Sequence, residues 1–392
     1  MINVFSAALF LYVLLRLVLP LPLSIHTKII CGMVLLLAAA KFLFFSYLTG
    51  SLASPEAPRP LQLLGNWLFV ALSLLFLMVI AKDVVLGISW LGQKLFSLPR
   101  PGPETRLPIA VALSAAALIL SGIGVWQAVK APVVKTLEIS LANLAPELDG
   151  LTVVQLTDLH ISRLLPRQRT EAVVAAANAL KPDLILITGD LVDGSPADRA
   201  EDVAPLADLR AAQGVYYCVG NHEYYSGFSE WLATFDRMGL KLLYNDQAVL
   251  NLNGGQLVLA GLADPVGASP RFNLEGPNLR AALGGSDRAP KGTPVILLDH
   301  RPGNAGDNAR VGADLQLSGH THGGLMWGFD RLVARFNQGY VRGLYQVGDM
   351  QLYVSPGTGL WNGFPVRLGT YGEITRIVLR SGRAPEGQAP SA

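Results

Sequence analysis

Two long stretches without a charged side chain constrain this protein more than any other feature of its sequence. Residues 63–81 (LLGNWLFVALSLLFLMVIA) and 107–126 (LPIAVALSAAALILSGIGVW) contain no Asp, Glu, Lys or Arg. Each stretch is about 20 residues long, which is the length that an α-helix needs to cross about 30 Å of hydrocarbon. We therefore predict that both are transmembrane helices.

Two further apolar stretches precede them. Residues 29–48 are uncharged apart from Lys41, and residues 2–24 are uncharged apart from Arg16. Residues 2–24 lack the basic start and the small-residue cleavage site of a secretory signal, so we interpret them as a retained span. The sequence thus predicts a multi-pass membrane region over residues 1–130 with about four transmembrane helices.

The basic residues near the predicted span ends indicate an orientation in the cell membrane. The first and third connections contain six: Arg16, Lys28, Lys82, Lys94, Arg100 and Arg106. The opposite side contains three: Arg59, Lys130 and Lys135. Because the more basic side usually faces the cytoplasm, the C-terminal domain is predicted on the outer (periplasmic or extracytoplasmic) face.

The rest of the chain has the composition of an ordinary globular domain. Residues 1–130 carry nine Lys and Arg against three Asp and Glu, whereas residues 131–392 carry 22 against 26. We predict a domain over 131–380 and a disordered tail over 381–392. The chain has only two cysteines, which excludes a disulfide framework. It has no basic stripe with interleaved aromatic residues, so we expect no nucleic-acid partner.

Strand-like and helix-like patterns alternate at the start of this domain. Apolar runs at 151–157, 184–188 and 215–219 predict buried strands, and helical patterns follow near 166–180 and 197–211. This alternation favours an α/β core, in which functional sites lie at the carboxyl ends of the strands.

Five of the six histidines follow predicted strands, and most of them sit beside Asp, Asn or Gly. They are His160, His222, His300, His320 and His322. A single histidine in such a place would most often be structural, but five favour a shared metal site. Imidazole and carboxylate groups are suitable ligands for Mn, Fe and Zn.

The histidines belong to five short motifs. In order these are Asp158-Leu-His160, Gly189-Asp190-Leu-Val-Asp193, Gly220-Asn221-His222-Glu223, Asp299-His300 and Gly319-His320-Thr-His322. This order resembles the calcineurin-like metallophosphoesterase superfamily, over about residues 133–380. The ending from Gly357 to Gly369 resembles the branch with the bacterial YkuE and YaeI phosphoesterases. Four spans before such a domain resemble the group described as transmembrane protein with metallophosphoesterase domain.

The resemblance implies a fold and a metal centre. The implied fold is an α+β four-layer αββα metallophosphoesterase sandwich, preceded here by an all-α transmembrane region. The implied cofactors are two divalent metal ions (Mn, Fe or Zn) with Asp190 as the bridging ligand. One ion would also take Asp158, His160 and His322, and the other would take Asn221, His300 and His320.

The same resemblance implies the catalytic and substrate-binding residues. His222 would face the scissile phosphate and either protonate the leaving group or stabilise charge, with Asp193 as its catalytic partner. The implied substrate-binding residues are Asn221, His222 and Arg367. A turn residue at Asp193 and an ordinary surface or packing arginine at Arg367 remain as alternatives.

Large apolar side chains are frequent over residues 326–364. They either pack in the core or form a rim that touches the lipid bilayer or an acyl chain. The leading hypothesis is a membrane-anchored two-metal phosphohydrolase that cleaves a phosphodiester or pyrophosphate, with a nucleotide or lipid-linked phosphoester as substrate. The alternatives are a phosphomonoesterase, including a protein phosphatase, and a non-catalytic membrane sensor or transporter with a metal-binding domain.

Overall fold

The computed structural model describes residues 2–49, 54–97 and 102–382, which divide into two compact units. The helical unit contains Met1–Gln127 together with Gly363–Val366, and the globular unit contains Ala128–Asn362 and Arg367–Ala392. Most of the predicted tail, residues 383–392, lies outside the described residues.

The helical unit is built from apolar helices. Its described residues form α1 (Ile2–Val13, continued by a π-helical segment at Leu14–Val18), α2 (Ile25–Ala39), α3 (Lys41–Thr49), α4 (Arg59–Phe96) and α5 (Arg106–Val129). The 38 residues of α4 give a length of about 57 Å at 1.5 Å per residue. One helix thus contains the predicted span at 63–81 and continues beyond it to Phe96.

The structure supports fewer full spans than the four predicted. Among the described residues, two helices are long and apolar enough to cross a membrane, Arg59–Phe96 and Pro103–Val129. Ile25–Ala39 and Lys41–Tyr47 pass only as a pair bent by 55°, which would make a third span or a re-entrant loop. The remaining helix, Ile2–Val18, is shorter and reaches only about 25 Å. The prediction of four spans is therefore not confirmed.

Charged side chains near the ends of the apolar runs pair with each other inside the helical unit. The Tyr12 hydroxyl and the Arg16 guanidinium both donate to Asp83, at 2.9 and 2.8 Å. The Lys82 ammonium donates to the Arg16 carbonyl oxygen at 2.8 Å. Such pairing lowers the cost of holding charge close to hydrocarbon.

The globular unit contains twelve described strands. They are β1 (Val133–Leu141), β2 (Thr152–Leu156), β3 (Leu184–Thr188), β4 (Val215–Cys218), β5 (Lys241–Leu242), β6 (Asp246–Leu252), β7 (Gly255–Gly261), β8 (Val295–Leu298), β9 (Leu315–Ser318), β10 (Gly343–Val347), β11 (Met350–Val354) and β12 (Glu373–Ser381). One six-stranded sheet has the order β1-β12-β2-β3-β4-β5, and the other has β10-β11-β9-β8-β7-β6. Both sheets are mixed, since β12 runs antiparallel to β2 and β6 runs antiparallel to β7.

Helices accompany both sheets. They are α6 (Arg167–Ala179), α7 (Pro196–Val203), α8 (Asn221–Tyr225), α9 (Phe228–Arg237), α10 (Leu279–Ala282), α11 (Ala305–Arg310) and α12 (Phe329–Phe336). Leu186 of the first sheet and Leu259 of the second belong to one buried cluster. Because side chains alternate along a strand, neighbouring Ile187 packs in a cluster with Trp231 of α9.

The coarse fold prediction is confirmed. The protein has an α/β globular unit with mixed sheets, and apolar helices precede it in the chain. The finer detail of four stacked layers stays a prediction. For the site, the relevant feature is that β2, β3 and β4 are parallel neighbours in one sheet, as are β8 and β9 in the other.

Candidate metal centre

The sequence motifs all follow the carboxyl ends of strands. Asp158, Asp190 and Asn221 follow β2, β3 and β4 of the first sheet, and His300 and His320 follow β8 and β9 of the second. Parallel neighbours end at the same edge of a sheet, so each sheet brings its own motifs together. Five chain segments that are distant in sequence therefore converge.

The converging side chains form three groups that could each hold a metal ion. Two match the expected sets: Asp158, His160 and His322 form the first, and Asp190, His300 and His320 form the second. The third joins His160 to Asp193 and His222. Within each group the candidate ligand atoms all lie within 4.8 Å of one another. The structure thus brings together six of the seven residues predicted as metal ligands in the two sets expected.

Asp190 belongs to the second group and also lies close to His160 of the first. One carboxylate oxygen, Oδ2, is 3.1 Å from His300 Nε2 and 3.7 Å from His160 Nε2. The other oxygen, Oδ1, accepts a hydrogen bond from the backbone N–H of His222 at 2.8 Å. This position suits a carboxylate shared between two ions, which is the role that the resemblance implies.

Buried polar atoms without a hydrogen-bond partner test whether metal ions fit this site. Four such atoms belong to predicted ligands: His160 Nε2, Asn221 Oδ1, His300 Nε2 and His322 Nδ1. A buried nitrogen or oxygen left unpaired costs free energy, and a divalent cation would provide the missing partner. The donor set of imidazole, carboxylate and amide oxygen fits Mn, Fe or Zn.

Hydrogen bonds at the opposite ring nitrogens orient two of these imidazoles. His160 Nδ1 lies 3.2 Å from Asp193 Oδ2, and His300 Nδ1 lies 2.7 Å from the Thr188 carbonyl oxygen. A proton held at Nδ1 leaves the Nε2 lone pair available, as metal-ligating histidines require. Burial also lowers the pKa of His320 and His322, which favours neutral rings.

The backbone is unusual at five predicted ligands. Positive φ angles of 44° to 68° occur at Asp158, His160, Asp190, His320 and His322. Residues other than glycine rarely adopt this left-handed region, and such strain is typical of functional sites. The strand-to-loop turns therefore store strain in order to aim these side chains.

Gly189 also has a positive φ angle, and close contacts with neighbouring loops require a glycine at this position. Its φ is +83°, and a Cβ atom there would lie 2.6 Å from the Gly220 nitrogen and 2.8 Å from His300 Nδ1. The loops after β3 and β4 and the ring of His300 can therefore approach closely only without a side chain at this position.

Glu223 organises the two loops around Asp190. Its carboxylate accepts backbone N–H bonds from Gly220 at 2.7 Å, Leu191 at 2.7 Å and Asp190 at 3.0 Å. Burial, together with the neighbouring Asp190 carboxylate, raises the pKa of Glu223 to about 7. Because its oxygens are occupied by backbone groups, Glu223 has a structural role here.

Asp193 contacts two histidines rather than one. Its Oδ1 is 2.5 Å from His222 Nδ1, while its Oδ2 bonds His160. Burial alone would lower the pKa of His222, but the Asp190 and Asp193 carboxylates raise it to about 9. In turn, His160 and His222 lower the pKa of Asp193 to about 2, although burial alone would raise it.

Arg367 occupies an environment that does not fit its predicted role in substrate binding. The side chain is only 1% exposed. Its guanidinium donates to four backbone carbonyls, those of Pro356, Gly357, Gly359 and Tyr371. The arginine thus ties a loop together through its two terminal nitrogens, while its Nε has no hydrogen-bond partner. This environment favours the alternative of a packing arginine.

Several residues near Asp190 or His222 have no site role in the sequence prediction. Arg301 donates twice to Asp264, at 2.7 and 3.1 Å, and its side chain remains 30% exposed. The rings of Tyr225 and Trp361 lie 5.5 and 6.1 Å from the His222 ring. One signal was available, since Asp264 closely follows β7 and Arg301 follows β8, as the predicted ligands follow their strands.

Comparison with known proteins agrees with this geometry. The family model described as calcineurin-like phosphoesterase matches residues 151–324. The transmembrane protein with metallophosphoesterase domain of Bos taurus is 34% identical over 67% of this chain and 60% of its own length. An uncharacterized metallophosphoesterase of Campylobacter jejuni is 33% identical over 78% of both chains. The uncharacterized metallophosphoesterase YkuE of Bacillus subtilis is 31% identical over 69% of this chain and 94% of its own.

The match to the family model includes every motif of the candidate centre, from Asp158 to His322. The match to the Campylobacter protein extends over more than two thirds of both chains, whereas the chain spans only about 60% of the bovine relative. The chain therefore belongs to the calcineurin-like phosphoesterase family of metal-dependent phosphoester hydrolases.

Proposed function

We propose that this protein is a membrane-anchored phosphohydrolase that cleaves a phosphodiester or pyrophosphate bond with two divalent metal ions. One observation carries the proposal. Asp190 belongs to one group of ligand atoms and lies 3.7 Å from His160 of another, and four buried polar atoms of predicted ligands have no hydrogen-bond partner.

The proposed ligand sets follow the first and second groups. Asp158, His160 and His322 would hold one ion, whereas His300, His320 and Asn221 would hold the other. Asp190 would contact both. Two divalent ions held there would supply the positive charge that polarises a phosphoester and activates water at neutral pH.

His222 is the proposed proton donor. Its Nδ1 is engaged by Asp193, which leaves Nε2 as the ring nitrogen able to give a proton to the leaving-group oxygen. Asp193 would fix the tautomer and orientation of His222 and, through its second oxygen, those of His160. Tyr225 and Trp361 beside the ring would seat an organic leaving group.

Arg301 is the proposed phosphate-binding arginine in place of Arg367. Asp264 fixes its guanidinium with two hydrogen bonds, and part of the group remains exposed. We expect Arg301→Gln to raise KM about tenfold with a smaller change in kcat, because a charge-assisted contact to phosphate would be lost. An unchanged KM in steady-state kinetics would contradict this role.

The membrane anchor completes the proposal. Two span-length helices support insertion, and the excess of basic residues on one side of the predicted spans supports an outward-facing globular unit. An enzyme held at a membrane would meet lipid-linked phosphoesters at high local concentration.

The test is hydrolysis of a chromogenic phosphodiester and of its monoester by the full chain in detergent. The protein is first treated with a chelator, and then Mn, Fe or Zn is added back. We expect turnover that depends on the metal and falls at least about 100-fold in Asp190→Asn. Asp208→Asn, an exposed substitution of the same chemistry, is the matched control.

The outcomes separate the alternatives. A faster monoester reaction would indicate a phosphomonoesterase or protein phosphatase. Bound metal without turnover of either substrate would favour a sensor or transporter, and the absence of bound metal would contradict the proposal.

A further inference from the structure

The helix that follows the last metal-binding motif presents an apolar face to solvent. The helix α12 (sequence FDRLVARF) places Phe329, Leu332 and Phe336 three and seven residues apart, which puts them on one side of the helix. All three are exposed, Phe336 by 80%, and Trp327 just before the helix is 78% exposed. No residue of α12 is buried. We refer to these four side chains as the apolar helix patch.

Exposed clusters of large apolar side chains mark interaction surfaces more often than chance. None of the four side chains belongs to the buried core clusters found among the described residues, so the patch is not part of those clusters. The segment is nevertheless held in place. The backbone N–H groups of Phe329 and Asp330 bond the Met326 carbonyl, and that of Trp327 bonds Leu368.

The charged residues of α12 indicate which kind of surface the apolar helix patch would bind. Arg331 and Arg335 are exposed on α12, whereas the acidic Asp330 is half-buried and faces Arg342 at 3.6 Å. Aromatic and leucine side chains on one side, with arginines beside them, are typical of helices that lie in the interface of an anionic membrane. The net charge available to a partner on this helix is positive.

Continuity of the chain favours the same occupant. The span-length helix Pro103–Val129 ends only three residues before β1 begins at Val133. A short connection of this kind raises the effective concentration of the bilayer at the surface of the globular unit. We propose that α12 and Trp327 insert into the headgroup region of the membrane in which the chain is anchored.

The proposal has a consequence for the active site. Only six residues separate His322 from the start of α12, and the intervening backbone bonds hold the helix to the ligand loop. A membrane contact at the patch would place the candidate centre at headgroup level, where phosphoesters of lipids reside. The inference rests on the proposed membrane anchoring and not on hydrolytic activity.

Fluorescence of the full chain in liposomes tests the contact. Single cysteines carrying the environment-sensitive label NBD would replace Phe336, Leu77 and Glu201, in a Cys31→Ala background in which Cys218 is buried. Leu77 is an exposed position of the α4 span and reports insertion, while Glu201 is an exposed position of α7 and reports solvent. Lipids carrying a spin label act as the quencher.

The expected result is quenching at 336 that approaches the value at 77 and exceeds the value at 201 severalfold. Quenching at 336 should also increase when phosphatidylglycerol is added to phosphatidylcholine vesicles, and Arg331→Gln/Arg335→Gln should remove that increase. Quenching at 77 without quenching at 336 would overturn the inference and leave the anchoring intact.

Two other outcomes are decisive as well. The absence of quenching at 77 would overturn the anchoring and this inference together. A blue-shifted label at 336 that the lipid quencher does not reach would assign the patch to a protein partner, such as a second copy of the chain, and would also overturn the inference.

Discussion

At the scale of single residues, Asp193 links the proposed acid His222 to the proposed metal ligand His160. Its two oxygens accept from Nδ1 of His222 and Nδ1 of His160. A carboxylate can serve two N–H donors at once, whereas an amide has only one acceptor oxygen. One side chain therefore orients both the proposed acid and a proposed metal ligand.

We expect Asp193→Asn to lower kcat about 100-fold and to weaken metal affinity about 10- to 100-fold, as losses of groups behind metal ligands typically do. Steady-state kinetics at saturating Mn and a metal titration would measure the two effects separately. Asp208→Asn is the control, and a variant with unchanged kcat and metal affinity would show that Asp193 is only a turn residue.

Gly189 gives a second prediction at this scale. Gly189→Ala should lower the free energy of unfolding by at least about 1–2 kcal/mol, since its φ is +83° and alanine is strained in that region. The added methyl group should also displace His300 and reduce metal binding.

The matched control is Gly306→Ala. Gly306 lies in α11 with open space around it, and alanine there should leave stability unchanged or raise it by about 0.5–1 kcal/mol. Thermal unfolding of both variants would show the contrast, and equal Tm values would contradict the argument from close approach.

At the scale of elements, the loop after β11 depends on Arg367. The guanidinium donates to four carbonyls of residues 356–371 while buried. Trp361, which lies beside His222, belongs to the same loop. A side chain without the planar guanidinium could not donate to all four carbonyls, so some of these buried carbonyls would lose their partner. The loop could then change its conformation.

We therefore expect Arg367→Lys to lower the free energy of unfolding by about 1–3 kcal/mol and to reduce kcat without raising KM. Thermal unfolding and steady-state kinetics on the phosphodiester would test the two parts. A stable variant with a large rise in KM would instead support the substrate contact predicted from the sequence.

Much of the candidate site could be predicted because its residues follow a local rule. Asp158, Asp190 and His320 each come just after a strand, and the strands themselves are readable as short apolar runs. What the sequence does not show is where a long side chain points. Arg367 and Arg301 carry the same charge. Arg367 is buried and bonds backbone carbonyls, whereas Arg301 remains partly exposed.

The membrane spans were harder to count for a similar reason. Hydropathy depends on composition, and residues 29–48 and 2–24 are apolar enough. Helix continuity depends on local geometry, and hydropathy does not show the bend of 55° between Ile25–Ala39 and Lys41–Tyr47, although Lys41, the one charged side chain of residues 29–48, lies at it. The long uncharged stretch at 63–81 was read correctly as helical, although the helix extends well beyond it on the C-terminal side.

At the scale of the whole molecule, metal ions would join the two sheets of the globular unit. Ligands of each proposed set come from loops of both sheets, since Asp158 follows β2 and His322 follows β9. Bound metal should thus stabilise the folded unit as a whole. The chelated protein should also expose no new apolar surface, because the core clusters do not include the ligands.

Removal of metal should lower the Tm of the globular unit by several degrees. Binding at 100 times Kd stabilises a fold by about 2.7 kcal/mol, which corresponds to about 5–10 °C for a domain of this size. Differential scanning fluorimetry with and without a chelator would measure the shift, and re-addition of Mn should restore it. An identical Tm in both states would contradict a metal that links the sheets.

The most direct test of the account is the number of metal ions bound per chain. Inductively coupled plasma mass spectrometry on the purified full chain, loaded with Mn and dialysed, should give about two ions per chain, and Asp190→Asn should bind fewer. One ion or none in the unsubstituted chain, under conditions in which it is folded, would contradict the two-metal centre.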